Sequence, residues 1–228
     1  MKDGDVVDVK LGQVGDIGHF DVRINSPGSQ YLTMTEKSEC SEESLLRYAQ
    51  VVATLGGSPY ATFVVQTLPC ITPADLTPLR CFLDKQYEGE ITLSAGVVNK
   101  AHASCEDLKV YLKLNELLGY LSSEIVDALT TLFADSYDEI ILRRCCAYGK
   151  FISFHTDYSL KTMQVALNDE DEYSGGRLTF LTSNRGLECP HRAAGTITIH
   201  GNDIVHGVSE LTSGVRYGLF FIKKKNLI

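Results

Sequence analysis

After Ser136 the chain changes its period. "EIILRRCCAYG", "FISFHTDYS", "MQVALND", "GGRLTFLTS", "GTITIHG" and "VRYGLFFIKK" are six short runs rich in β-branched and aromatic residues, parted by Gly, Asn and Asp turns. Such runs are too short for ordinary helices. At this spacing they bury their apolar sides only by closing into a sandwich or a barrel.

The chain ahead of them is written at helical spacing. "SEESLLRYAQVVATLGG", from Ser41, has early glutamates and a Gly-Gly stop, and "TPADLTPLRCFLDKQ", residues 72–86, opens with a Thr cap and a first-turn proline. Leu76, Leu79 and Leu83 fall on one face there, as do Ile125, Leu129 and Leu132 in "SSEIVDALTTLFAD", residues 122–135. "ATFVVQTL" reads as a strand among them. The expectation is an α+β chain with helical support over 41–135 and a β core over 136–223. Residues 1–30 read as an N-terminal extension, with strand material around "GDVVDVKLG" and "HFDVRIN" and a turn or linker at "NSPGSQ". "KDGDVVDVKLGQVGD" also resembles the last strand of a ubiquitin-like fold, so the end of a preceding domain stays open for it. Residues 31–228 are then the main domain.

Composition removes several classes. A formal charge of -8 disfavours a general grip on nucleic acid, and the one basic run, Lys223-Lys224-Lys225, reads as a solvated tail. Seven cysteines without a CxxC pair, and no leader segment, fit a reducing compartment, the cytosol or the nucleus. No apolar run approaches the roughly 20 residues of a membrane helix.

The chemistry concentrates in the β half. His155 and Asp157 in "FHTDYS" stand two apart, which on a strand puts both on one face. HxD by itself is too short to carry weight, and a third ligand must come from His191, His200 or His206. His206 in "GNDIVHGV" is favoured because it follows a turn at a strand end. His191 sits in a Pro-flanked loop, His200 precedes the turn, and His19 and His102 read as surface residues. Two imidazoles and one carboxylate leave metal positions open, as in non-haem Fe(II) oxygenases, whereas a structural zinc site is closed by four ligands. Arg216 follows on the next predicted strand, where it is expected to run beside the metal strand. A buried arginine needs an anion, and a dicarboxylate such as 2-oxoglutarate would chelate iron at one end and meet Arg216 at the other.

"YGKFISFHTDYS", "VALNDEDEYSGGRLTFL" and "AAGTITIHGNDIVHGVSELTSGVRYGLFFI" together resemble the catalytic core of the Fe(II)/2-oxoglutarate-dependent dioxygenases, in particular the prolyl 4-hydroxylase-like group. The likeness covers residues 138 to 223, with the pieces in the family's order. It implies a double-stranded β-helix (jelly-roll) core with supporting N-terminal helices, iron held by His155, Asp157 and His206, and Arg216 on the distal carboxylate of 2-oxoglutarate. Tyr148 is implied as a further cofactor contact, although it stands closer to the HxD than in many relatives. Thr212 and Gly214 match the turn before the arginine, Thr212 as a structural residue.

The implied reaction uses Fe(II), 2-oxoglutarate and O2, with ascorbate as an accessory reductant, and releases succinate and CO2. Intact Asp157 favours hydroxylation over halogenation, since related halogenases carry a small residue there. By the resemblance the substrate is a protein or peptide residue, proline first. Alternatives are a small molecule or free amino acid, and a metal-binding scaffold without turnover. Nucleic acid is disfavoured, because Ile222 stands where dealkylases carry a second arginine.

Further expectations attach to single stretches. Gly175-Gly176 reads as a hairpin or bulge, and 168–173 as a solvated hairpin tip. One cysteine of Cys145-Cys146 should be buried as a small hydrophobe. Tyr158 and Ser159 are candidates for touching the substrate, and loops 90–105 and 183–192 for shaping its choice.

Overall fold

The computed structural model describes residues 6–10, 20–25, 32–34, 49–95, 106–134, 136–146, 148–182 and 186–225. His19, His102, Cys40 and Cys105 lie outside them, as do residues 26–30 of the expected linker and 96–105 and 183–185 of the two expected loops.

Strands β1 (Val6–Lys10), β2 (Phe20–Asn25) and β3 (Leu32–Met34) form an antiparallel sheet in that order. Because β3 pairs with β2, this sheet runs past residue 30. Helical residues 49–54 stop at Gly56 and Gly57. Gly56 takes a φ of 78°, a left-handed stop that costs glycine nothing.

Next come β4 (Phe63–Gln66) and α1 (Pro73–Ala95), the helix running nine residues past the expected end at 86. Its start is fixed as the sequence suggests: the Thr72 amide and hydroxyl both donate to Asp75 Oδ2, at 2.8 and 2.6 Å. Then follow β5 (Asp107–Leu112), the single turn α2 (Leu114–Leu117) and α3 (Ser123–Phe133). In α3, Ser122 Oγ accepts from the Ile125 amide and Ala134 closes the helix at φ 62°. β5 departs from the helical reading of this half. "DLKVYL" alternates, but a single edge strand between helices gives too short a signal to outweigh its neighbours.

The β half holds β6 (Glu139–Cys145), β7 (Ile152–His155), β8 (Ser159–Ala166), β9 (Tyr173–Gly175), β10 (Leu178–Thr182) and β11 (Gly186–Glu188). It ends with β12 (Ile197–Gly201), β13 (Val205–Val208), β14 (Leu211–Gly214) and β15 (Arg216–Lys224). One sheet has the order β4-β12-β8-β15-β6-β5, the other β11-β10-β13-β7, and β9 and β14 form a ribbon. Of the eight strands β6, β7, β8, β10, β11, β12, β13 and β15, each passes to the facing sheet from the one before it except β11, which pairs with β10 in the small sheet. That is the double-stranded β-helix, or jelly roll.

Alternation along the large sheet separates a dry face from a wet one. Tyr217, Leu219 and Phe221 of β15 pack with Met163 and Val165 of β8 and Ile140 and Leu142 of β6 against Leu76, Leu79 and Leu83 of α1 and Leu129 and Phe133 of α3. These side chains are almost fully buried, and truncating any of the leucines to Ala should cost about 2–5 kcal/mol. The intervening residues, Arg143, Thr162, Gln164, His200 and Arg216 among them, face the small sheet across a cavity.

A polar interior between two sheets needs something to occupy it.

Candidate metal centre

β7 ends on His155, and the residue directly opposite on β13 is His206. The ladder therefore brings the two imidazoles together, with ring centroids 4.5 Å apart. Asp157 lies beyond the strand end, so it reaches the centre from the turn and not by the strand alternation that HxD suggests. Its Oδ1 stands 3.5 Å from His155 Nε2 and 3.5 Å from His206 Nε2. One donor atom from each of the three residues falls within 4.8 Å of the other two.

The remaining atoms of these three side chains are committed elsewhere, which fixes their orientation. His155 Nδ1 is 2.8 Å from the Ser153 carbonyl and His206 Nδ1 is 3.4 Å from that of Ile204. A carbonyl accepts only from N–H, so Nδ1 of each ring carries a proton and Nε2 is turned toward the centre. Asp157 Oδ2 accepts from Thr162 Oγ1 at 2.7 Å and from Ser159 Oγ at 3.4 Å, leaving Oδ1 for the metal position. Burial holds His206 down at about 4. Burial also opposes ionisation of Asp157, but the His155 hydrogen bond, the His206 charge and the Thr162 hydroxyl together outweigh it and keep the carboxyl well below its usual range. His155 is raised, chiefly by its bond to Asp157. A cation would displace the proton that His155 shares with Asp157, and the site would then offer it one carboxylate and two imidazole nitrogens.

His200 stands behind the three. Its Nε2 is 4.0 Å from Asp157 Oδ2 and its ring 4.6 Å from that of His206, yet it falls outside the close donor set. His191 is exposed beside Glu170, away from the centre.

Arg216 lines the same cavity of about 250 Å³, together with Arg143, Gln164 and Thr162. It does not run beside the metal strand as expected. β15 lies between β6 and β8 in the large sheet, so Arg216 meets the triad across the sandwich. The side chain is 7% exposed and its Nε has no partner. Burial pushes the guanidinium below its ordinary value, opposed by a hydrogen bond with Tyr173. Arg143, by contrast, is held by Asp107 at 2.5 and 2.9 Å. Among the described residues, no carboxylate pairs with Arg216.

The position of Arg216 is fixed from both sides by Asn168. Asn168 Nδ2 donates to the Val215 carbonyl at 2.9 Å and its Oδ1 accepts from the Tyr217 amide at 3.0 Å. The stretch 168–173 is therefore no solvated tip at its start. Asn168 is 1% exposed, and Asp169 accepts from the Ala194 amide at 2.7 Å. Gly175 and Gly176 do form the expected irregularity, at φ 72° and 61°. Thr212 Oγ1 donates to the Ser174 carbonyl at 3.1 Å, a structural bond that ties the β9–β14 ribbon.

Other expected site residues stand apart. Tyr148 is 53% exposed and lines neither this cavity nor the adjoining one. Tyr158 is 94% exposed, whereas Ser159 bonds Asp157 and Thr162 and so serves the carboxylate. Sequence reasoning did not single out Thr162, Arg143, Asn168 or the buried Arg192. For Thr162 a signal existed, a hydroxyl on the inward face of a strand beginning just past HxD. For Arg192, in a loop between strands, none did.

The fold and the site define a double-stranded β-helix protein with a two-histidine, one-carboxylate centre at one end of its barrel. Among solved structures the chain is similar to EctD from S. alaskensis in its apoform, at 12% identity over 96% of this chain and 84% of that one, with a TM-score of 0.51. It is also similar to a Pseudomonas putida prolyl-4-hydroxylase, at 14% identity over 78% and 100% with a TM-score of 0.48, and to an oxidoreductase of the 2OG-Fe(II) oxygenase family from Burkholderia pseudomallei, at 13% over 81% and 92% with 0.48. At these identities the likeness bears on fold alone, and only the first of the three is close enough to be used for it. No family model matches the chain, and no curated protein matches it significantly.

Proposed function

We propose that this chain is an Fe(II)- and 2-oxoglutarate-dependent oxygenase. The observation that carries this reading is the meeting, in one cavity, of the His155–Asp157–His206 donor set with a buried arginine that has no carboxylate partner. Two imidazoles and a carboxylate suit Fe(II) and leave open coordination positions. The guanidinium of Arg216, whose Nε has no partner, suits the far carboxylate of a dicarboxylic acid chelated at the metal. Once bound, iron, 2-oxoglutarate and O2 would supply the oxidising power, with 2-oxoglutarate leaving as succinate and CO2.

The chain's own residues position and shield these reactants. His155 and His206 present Nε2 because backbone carbonyls hold their Nδ1 protons, and Thr162 restricts Asp157 to one free oxygen. Asn168 fixes Arg216 at the other end. Leu178, Val208, Phe220 and Ile222 line the remaining wall and exclude water.

For the substrate, we favour a residue in a protein or peptide, proline first. The cavity is walled in part by β5, which ends its sheet and carries no further strand among the described residues, an edge that could hold an extended chain. A scaffold without turnover has no use for a buried guanidinium whose Nε has no partner, which costs stability.

Mass spectrometry of peptide libraries incubated with Fe(II), 2-oxoglutarate and ascorbate should reveal an added oxygen, accompanied by succinate. If the protein, loaded with Fe(II) anaerobically, neither binds 2-oxoglutarate nor consumes it once O2 is admitted, the reading fails. Asp157→Ala should lose its iron by elemental analysis, and unchanged iron content would move the site elsewhere.

A further inference from the structure

β6 ends on Cys145, and its partner across the ladder on β15 is Arg216, while β5 sets Asp107 opposite the same cysteine on its other side. Residues directly opposed in an antiparallel pair project from one face with Cβ atoms about 5 Å apart. The Cys145 thiol therefore stands between the Arg216 guanidinium and the Asp107–Arg143 pair. All four residues line a cavity of about 280 Å³. That cavity shares Arg143, Ile152, Val208 and Arg216 with the one holding the metal centre, so the two adjoin.

The thiol is half-buried and in no disulfide. Arg216, more than nine-tenths buried, brings an unpartnered Nε to the same cavity. The neighbouring Cys146 is engaged elsewhere, its Sγ accepting from Arg144 Nη1 at 3.4 Å. Cys145 is thus more than the small core hydrophobe that its strand suggests.

We propose that Cys145 is a covalent modification site in the anion seat of the cavity, where a group added to its Sγ fills the space before Arg216 and excludes a carboxylate. The proposal rests on the oxygenase reading for the identity of the excluded anion, 2-oxoglutarate. With hydrogen peroxide, the sulfur attacks one oxygen, the S–O bond forms as the O–O bond breaks, and the departing hydroxide takes the thiol proton and leaves as water. Sulfur is oxidised to the sulfenic acid and peroxide is reduced. The added oxygen can accept from Arg216 Nε, the donor that otherwise awaits a carboxylate. Two equivalents of a small thiol reverse the step, giving a disulfide and water.

The test uses the full chain loaded with Zn(II), which has no redox chemistry of its own. Binding of 2-oxoglutarate by the untreated protein is measured first, and its absence overturns the oxygenase reading. The protein is then treated with N-ethylmaleimide, or with peroxide and dimedone, with and without saturating 2-oxoglutarate. Tryptic cleavage after Arg144 and Lys150 isolates "CCAYGK", in which fragmentation separates Cys145 from Cys146.

Label should appear on Cys145, 2-oxoglutarate should slow it at least tenfold, and labelled protein should bind 2-oxoglutarate at least tenfold more weakly. Treated and untreated Cys145→Ser should bind it alike. No label on Cys145, labelling indifferent to 2-oxoglutarate, or unchanged binding after complete labelling overturns the proposal while leaving the oxygenase reading intact. So does a loss of binding in treated Cys145→Ser as large as in the wild type.

Discussion

Arg216→Met should make the ligand-free protein more stable and its complex with 2-oxoglutarate far weaker. Methionine retains most of the arginine stem's packing while removing a guanidinium whose Nε is buried without a partner. One unsatisfied buried polar group costs about 1–3 kcal/mol, more when charged, so its removal should return about that much. For a chain of this size that is roughly 2–4 °C in Tm per kcal/mol. The fork can give a carboxylate two charge-assisted hydrogen bonds at about 1.5–3 kcal/mol each, so their loss should weaken binding on the order of a hundred- to ten-thousand-fold. The assay is thermal unfolding of Zn(II)-loaded protein with and without 2-oxoglutarate, backed by calorimetric titration. In the wild type, ligand at a hundred times its Kd should add about 2.7 kcal/mol, and in the variant almost none. A ligand-free variant that melts below the wild type would show that Arg216 is paid for within the fold and not by a ligand. A variant that still binds as tightly would remove it from the anion seat.

Other perturbations probe the supports of the site. Thr162→Val removes the hydroxyl that holds Asp157 Oδ2 at 2.7 Å, and metal affinity by competitive titration should fall about 10–100-fold with the fold retained; unchanged affinity would show that the bond does not position the ligand. Tyr217, pushed up to about 12 chiefly by burial and by its 2.6 Å bond to Asp84, keeps its proton when folded but loses it near 10 when unfolded. Stability that is fully present below pH 10 should therefore be lost as pH rises toward 12, by up to about 2.7 kcal/mol at 1.36 per unit, and Tyr217→Phe should flatten that part of the denaturant-unfolding profile. Gly175→Ala would set a Cβ 1.8 Å from the Glu210 carbonyl oxygen at a φ of 72°, and should cost at least about 2 kcal/mol, whereas Gly89→Ala in α1 meets nothing within 4 Å and should stabilise by about 0.5–1 kcal/mol; similar melting of the two variants would contradict the close approach of β9 and β14.

How much of this was legible in the sequence follows from how local each signal is. The β half announced itself because period-2 alternation and turn residues act over a few positions, and α1 and α3 because their caps are written next to their apolar stripes. HxD alone was too short to carry weight and gained it from His206 and Arg216, and the reason the pair converges lay elsewhere: Asp157 comes from a turn, and its second oxygen is held by Thr162, a contact between β8 and that turn that no strand periodicity encodes. The placement of Arg216 beside the metal strand failed for a related reason. Nearness in sequence suggested adjacency in the sheet, whereas β13 and β15 belong to opposite sheets, so a residue opening β15 faces β7 and β13 across the sandwich instead of pairing with them. Asn168 shows the same limit from the other side. Within "LNDEDEY" it looks like a turn residue, yet its amide clamps Val215 and Tyr217 far along the chain, and so holds the cavity's Arg216, whose Nε has no partner among the described residues. An asparagine that pairs the backbone on both sides of an arginine with a free Nε separates two roles: the Val215 carbonyl and the Tyr217 amide are paired to keep the strand rigid, and the Arg216 Nε is left without a partner in the cavity wall. That division is what a seat for an exchangeable anion requires, since a partner within the protein would compete with the ligand.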